Sequence, residues 1–189
     1  HNKAFLEKKF NYQISPSYSF KSSSFTGSGS VALNQNIRQG DLESIRYTGN
    51  GSYYLYAADA TYLKLTPGVQ FRFRNNDLRD NRVKAIIVRE VIINKEISNI
   101  EIDSTDIYSY AVFDAKYINS KTEGLNHYKL VTDLQVSDKF GKASVELGYR
   151  KIYENNRQLT TRLFAGSFIY NNTNSDYFSF ATDRPTDYL

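Results

Sequence analysis

Phe10-Asn11-Tyr12-Gln13-Ile14-Ser15-Pro16-Ser17-Tyr18-Ser19-Phe20-Lys21 decides the fold class. Its even positions are Phe, Tyr, Ile, Pro, Tyr and Phe, while its odd positions are Asn, Gln, three Ser and Lys. Residues that alternate with period two point to opposite faces of an extended strand, so this segment has one apolar and one polar face. The same rule recurs downstream. Leu63, Leu65, Pro67, Val69, Phe71 and Phe73 alternate with Lys64, Thr66, Gln70, Arg72 and Arg74. Tyr128, Leu130, Thr132, Leu134 and Val136 alternate with His127, Lys129, Asp133 and Gln135. Ala143, Val145, Leu147 and Tyr149 alternate with Ser144, Glu146, Gly148 and Arg150. Helical spacing of apolar residues is confined to Lys3–Lys9. The chain reads as all-β.

Alternation suits both a soluble sandwich and a membrane barrel, because each buries one face and wets the other. Segment length separates them. Strands of globular proteins run to about 5–6 residues, whereas a tilted membrane-crossing strand needs about 9–11. The uninterrupted segments Tyr62–Arg74, Ile107–Asn119, Asn126–Asp138, Lys142–Tyr153 and Leu159–Tyr170 are of the longer kind. Asp138–Gly141 and Glu154–Arg157 read as tight turns, and Ser120–Leu125 and Asn94–Asp106 as longer polar loops. Gly49-Asn50-Gly51 reads as a turn that takes up positive φ. Val83–Ile93 is apolar at both parities, so its orientation stays open. Pro16 and Pro67 conflict with their strands, because proline removes a ladder donor.

The expected architecture is an antiparallel up-and-down transmembrane β-barrel, or a fragment of one, with about 8–10 strands in this chain. Its lumen-facing residues are Lys64, Gln70, Arg72, His127, Lys129, Asp133, Gln135, Glu146 and Arg150. Its lipid-facing or girdle residues are Phe10, Tyr12, Tyr18, Phe20, Phe71, Phe73, Tyr128, Leu130, Leu134, Val145, Leu147 and Tyr149. Aromatic residues near segment ends, with Tyr53, Tyr108, Tyr117, Tyr153 and Tyr170 among them, suit belts at the two headgroup levels. The implied location is the bacterial outer membrane, with outer-membrane lipid and other envelope proteins as partners.

Composition narrows the chemistry. The 189 residues include no Cys, which removes disulfides, thiol catalysis and cysteine zinc sites. No apolar run approaches the roughly 20 residues of a membrane helix. The net charge of +4 is spread singly rather than in a basic stripe, which argues against nucleic acid. No Met is present and His1-Asn2-Lys3 opens no signal profile, so the chain reads as an excerpt of a longer protein.

No catalytic, cofactor or metal site is expected. The two histidines, His1 and His127, form no His-Glu-x-x-His zinc motif, and His127 has no acid or nucleophile at a recognisable spacing. Asp77–Asp80 and Asp103–Asp106 place acids in loops without the calcium-loop pattern. Asn50-Gly51-Ser52 and Asn171-Asn172-Thr173 match the glycosylation triplet, a chance match in a bacterial envelope protein. Gly27-Ser28-Gly29 lacks the Lys and helix of a phosphate loop.

Thr161-Arg162-Leu163-Phe164-Ala165-Gly166-Ser167-Phe168, Asn171–Phe180 and Asp183-Arg184-Pro185-Thr186-Asp187-Tyr188-Leu189 resemble a stretch of large outer-membrane proteins of Flavobacterium-like Bacteroidota. In those proteins a region similar to gluzincin zinc metallopeptidases precedes a carboxy-terminal Omp85-style barrel. The resemblance implies a barrel that anchors an attached domain or lines a lumen. It carries no catalytic residue into this chain. Two other readings stand beside it: a soluble all-β ligand- or glycan-binding module, and a fragment of a surface zinc metallopeptidase whose active site lies outside this chain.

Overall fold

The computed structural model describes residues 10–20, 24–37, 40–56, 60–75, 81–99, 104–153 and 157–172. Nine strands follow one another: β1 (Phe10–Ser19), β2 (Ser24–Asn36), β3 (Leu42–Tyr56), β4 (Ala60–Phe73), β5 (Arg82–Asn99), β6 (Ser104–Glu123), β7 (Asn126–Val136), β8 (Phe140–Ile152) and β9 (Gln158–Asn171). They form one antiparallel sheet in sequence order, each strand paired with the next. The chain is therefore an up-and-down meander. β1 and β9 each have a single neighbour, so the sheet is open among the described residues. No helix of the described residues is long and apolar enough to cross a membrane.

Hydrogen-bonded partners share a face, so the registers fix which side chains lie together. Tyr12↔Val31, Leu33↔Tyr47, Tyr47↔Val69, Leu65↔Ile92, Ile86↔Tyr117, Ala115↔Leu134, Leu130↔Leu147 and Leu147↔Leu163 carry one apolar face unbroken across all nine strands. The opposite face carries Gln13, Ser30, Arg46, Gln70, Arg89, Asp114, Gln135 and Lys142. Val83–Ile93 now has an orientation. Ile86, Val88 and Ile92 lie on the apolar face, whereas Ala85, Val91 and Ile93 lie on the polar one.

Burial runs opposite to polarity. Val112, Asp114, Gln135 and Lys142 are on the polar face and are 0%, 1%, 3% and 3% exposed, whereas Tyr12 and Ile14 on the apolar face are 72% and 75% exposed. A lone sheet with nothing packed on it buries side chains only by curling over them. This one curls over its polar face. A small apolar cluster of Val91, Ile93, Val112 and Phe140 sits under that curve, with Tyr62, Tyr110 and Phe168 against it.

Several expectations are corrected. Asn94–Asp106 and Ser120–Leu125 are not loops: β5 and β6 stay in one register from Arg82↔Lys121 to Asn99↔Ser104, and the β6–β7 turn is only Gly124-Leu125. Backbone pairing continues there although the apolar alternation does not. Gly124 takes φ 59°, the left-handed conformation such a tight turn needs. Gly49-Asn50-Gly51 is not a turn but the middle of β3, facing Pro67-Thr66-Leu65. Gly27-Ser28-Gly29 likewise lies in a strand, since β2 begins at Ser24.

The tight turns also fall at opposite ends of the sheet. One end holds the connections 20–23, 57–59, 100–103 and 137–139, each of three or four residues; it is called the turn end below. The other, the loop end, holds 37–41, 74–81, 124–125 and 153–157, which range from two to eight residues.

The two prolines are accommodated in different ways. Pro16 lies on β1, which pairs on one side only. At Pro67 the β4–β5 ladder lapses between Leu65↔Ile92 and Gly68↔Arg89 without a change of register. Lys3–Lys9, Asp77–Asp80, Asp103 and residues 173–189 of the resembling stretch lie outside the described residues.

Candidate functional site

The polar face is organised around ion pairs set by register. Arg89, Asp114, Gln135 and Lys142 stand in line across β5 to β8. Arg89 Nε donates to Asp114 Oδ2. One step along, Lys116 Nζ lies 3.0 Å from Asp133 Oδ2. Further toward the loop end Arg162 Nη2 donates to Glu146 Oε2 at 2.9 Å, and Arg72 Nε lies 3.0 Å from Glu43 Oε2. Asp114 Oδ1, Asp133 Oδ1 and Gln135 Oε1 are buried without a hydrogen-bond partner. Buried acceptors are nearly always satisfied by protein or water.

All nine residues assigned to a lumen by sequence lie on this polar face. Asp133 and Glu146 each belong to an ion pair, Gln135 stands in register between Asp114 and Lys142, and Arg72 has its own pair with Glu43. Lys64, Gln70, Lys129 and Arg150 share the face at other positions. His127 is at the loop end, where its Nδ1 is 3.0 Å from Thr122 Oγ1. Among the described residues no three His, Cys, Asp or Glu side chains gather to hold a metal ion. Sequence reasoning missed Arg89, Asp114, Lys116, Lys142 and Arg162. Asp114 and Lys116 alternate across Ala115, a signal hidden because Tyr110, Val112 and Phe113 break the period of β6.

Of the twelve residues assigned to lipid, eleven lie on the apolar face. Phe20 is the exception, at the end of β1 with its ring edge-on to Tyr18 at 5.0 Å. Apart from Phe113, midway along β6 and opposite Glu90, the aromatics of this face form two rows. Phe10, Tyr12, Tyr47, Phe71, Phe73, Tyr117, Tyr128 and Tyr149 lie toward the loop end, and Tyr18, Phe25 and Tyr53 toward the turn end. Neighbouring rings touch within the rows, at 5.2 Å for Tyr128 and Tyr149 and 6.4 Å for Phe25 and Tyr53. Ile14, Val31, Leu65, Val69, Val88, Leu130 and Val145 fill the band between them.

Besides Phe20, two end-of-segment aromatics are not in these rows: Tyr153 follows β8, and Tyr170 folds over the β7–β8 turn. Tyr108 stands at a polar-face position of the β6 backbone. Glu90 is the one charge inside the aliphatic band; it is exposed and has no hydrogen bond or ion pair among the described residues.

Comparison with family models, curated proteins and solved structures returns no match.

Proposed function

We propose that this sheet is part of the wall of an integral bacterial outer-membrane β-barrel, with its apolar face on hydrocarbon and its polar face lining a lumen. In that role it anchors an attached domain or lines a passage. The observation that carries the reading is the inverted burial: ion pairs inside the curve, Leu, Val, Ile, Phe and Tyr outside it. An exposed large apolar side chain forgoes about 1.5–3 kcal/mol of burial. Summed over this face, that is on the order of tens of kcal/mol, against a folding margin of about 5–15 kcal/mol. Such a face needs a cover, and hydrocarbon supplies one.

Dimensions support the same cover. The apolar stripe of β4 from Leu63 to Phe73 covers ten residue steps, or about 33 Å at ~3.3 Å each, which a tilt of ~40° reduces to ~25 Å, the height of an outer-membrane apolar band. Strands of 10 to 20 residues reach across such a band, and the longest, β5 and β6, project beyond it at the turn end. β1 and β9 run in the same direction, so an all-antiparallel ring takes an odd number of further strands. On the resemblance at residues 161–189, the anchored domain would be a metallopeptidase-like region.

A soluble module would require a second apolar layer, and the described residues supply none. Membranes from cells expressing the chain test the reading: extraction with alkaline carbonate should leave it in the pellet and flotation should carry it with lipid. Release as a monodisperse soluble protein without detergent would overturn it.

A further inference from the structure

The charges of the apolar face are placed unevenly. Among the described strand residues, every Lys and Arg of that face is one of four: Arg82 and Lys84 on β5, Lys121 on β6 and Lys151 on β8. All four are at the loop end; the turn end of the same face has none. Arg82 and Lys121 are direct cross-strand partners. Like charges placed opposite each other disfavour a sheet in water unless an anion lies close. Among the described strand residues of this face one acid stands at that end, Glu123, whose Oε2 is 3.4 Å from Lys121 Nζ.

The cations border directly on the aromatic row. Lys121 is the register partner of Tyr128, and Lys151 that of Asn126, whose Oδ1 accepts from the Tyr149 hydroxyl at 2.9 Å. Lys151 Nζ is 5.1 Å from the centre of the Tyr153 ring. From β5 to β8 is about 14 Å at ~4.8 Å per strand. Apolar band, aromatic row and cationic edge thus succeed one another along the strands, as hydrocarbon, interface and headgroup do along a bilayer normal.

We propose that Arg82, Lys84, Lys121 and Lys151 form a seat for anionic lipid headgroups at the loop end, an inference that rests on the membrane-wall reading. The seat fixes which end of the wall meets an anionic leaflet.

The test compares insertion of the full chain into phosphatidylcholine vesicles with and without phosphatidylglycerol. The native chain should favour the anionic vesicles, and added salt should weaken the preference. Replacing all four by Gln should reduce it by at least about tenfold, while replacing all four by the alternative basic residue should keep it. A control, Arg46→Gln with Lys129→Gln and Arg150→Gln, removes cations from the polar face at the same end and should keep the preference too. Equal insertion of the native chain into both vesicles, or equal loss in the control, would overturn the headgroup seat and leave the wall reading standing. Failure to enter either vesicle would overturn the wall reading itself.

Discussion

Glu90 and Asp114 show how little a residue's type decides without its face. Asp114 is buried and paired to Arg89, on the face that carries the counter-charges. Glu90, the register partner of Phe113, stands exposed in the aliphatic band. If hydrocarbon covers that band, an unpaired carboxylate there opposes insertion, by less than the roughly 2–4 kcal/mol of a mid-membrane Arg or Lys. Glu90→Leu should then stabilise the chain in bilayers by about 1–2 kcal/mol, read from its unfolding midpoint in urea. A shift within about 0.5 kcal/mol is what a water-facing surface position would give, and would contradict the placement. The sequence could not single out either residue: Val83–Ile93 is apolar at both parities, and Tyr110, Val112 and Phe113 break the period around Asp114, so only the partner strands assign the faces.

At the scale of the elements, small residues place the strands where alternation alone could not. Gly51 sits in β3 beneath Leu65; a Cβ there would come within 3.3 Å of Leu65 Cδ2. With Gly49 facing Pro67, the pair Gly49 and Gly51 looks like a turn in sequence because glycine in a strand and glycine in a turn are the same letter. The long polar ends of β5 and β6 were illegible for a related reason: outside the apolar band the alternation fades while the ladder goes on.

Gly141 is the clearest local constraint. The Tyr170 ring lies over it, so that a Cβ would meet the ring at 2.5 Å, and the Tyr170 hydroxyl donates to the Ser137 carbonyl. The β8–β9 register shifts at this point, which frees Tyr170 to fold over the β7–β8 turn. Gly141→Ala should dislodge the ring and cost about 1–3 kcal/mol, with faster amide exchange at Ser137 and Phe140. Unchanged stability and exchange would show that the ring does not clamp the turn.

For the whole molecule, the stripes of β1, β4, β7 and β8 were legible because each keeps period two residue by residue, a pattern that averages of composition and charge erase. A negative mean hydropathy looks like that of a soluble protein only because it sums the two faces. What the stripes could not show is which face the sheet curls over, since that depends on nine strands acting together. The central claim is that the apolar face, on the outside of the curve, meets hydrocarbon. The absence of native Cys allows one to be placed at each of residues 142–149 of β8 in turn and labelled with a nitroxide in the bilayer-reconstituted chain. Relaxation by oxygen, which concentrates in lipid, should peak at 143, 145, 147 and 149, and relaxation by a water-soluble nickel chelate at 142, 144, 146 and 148. The reverse phase, or no alternation at all, would contradict the account.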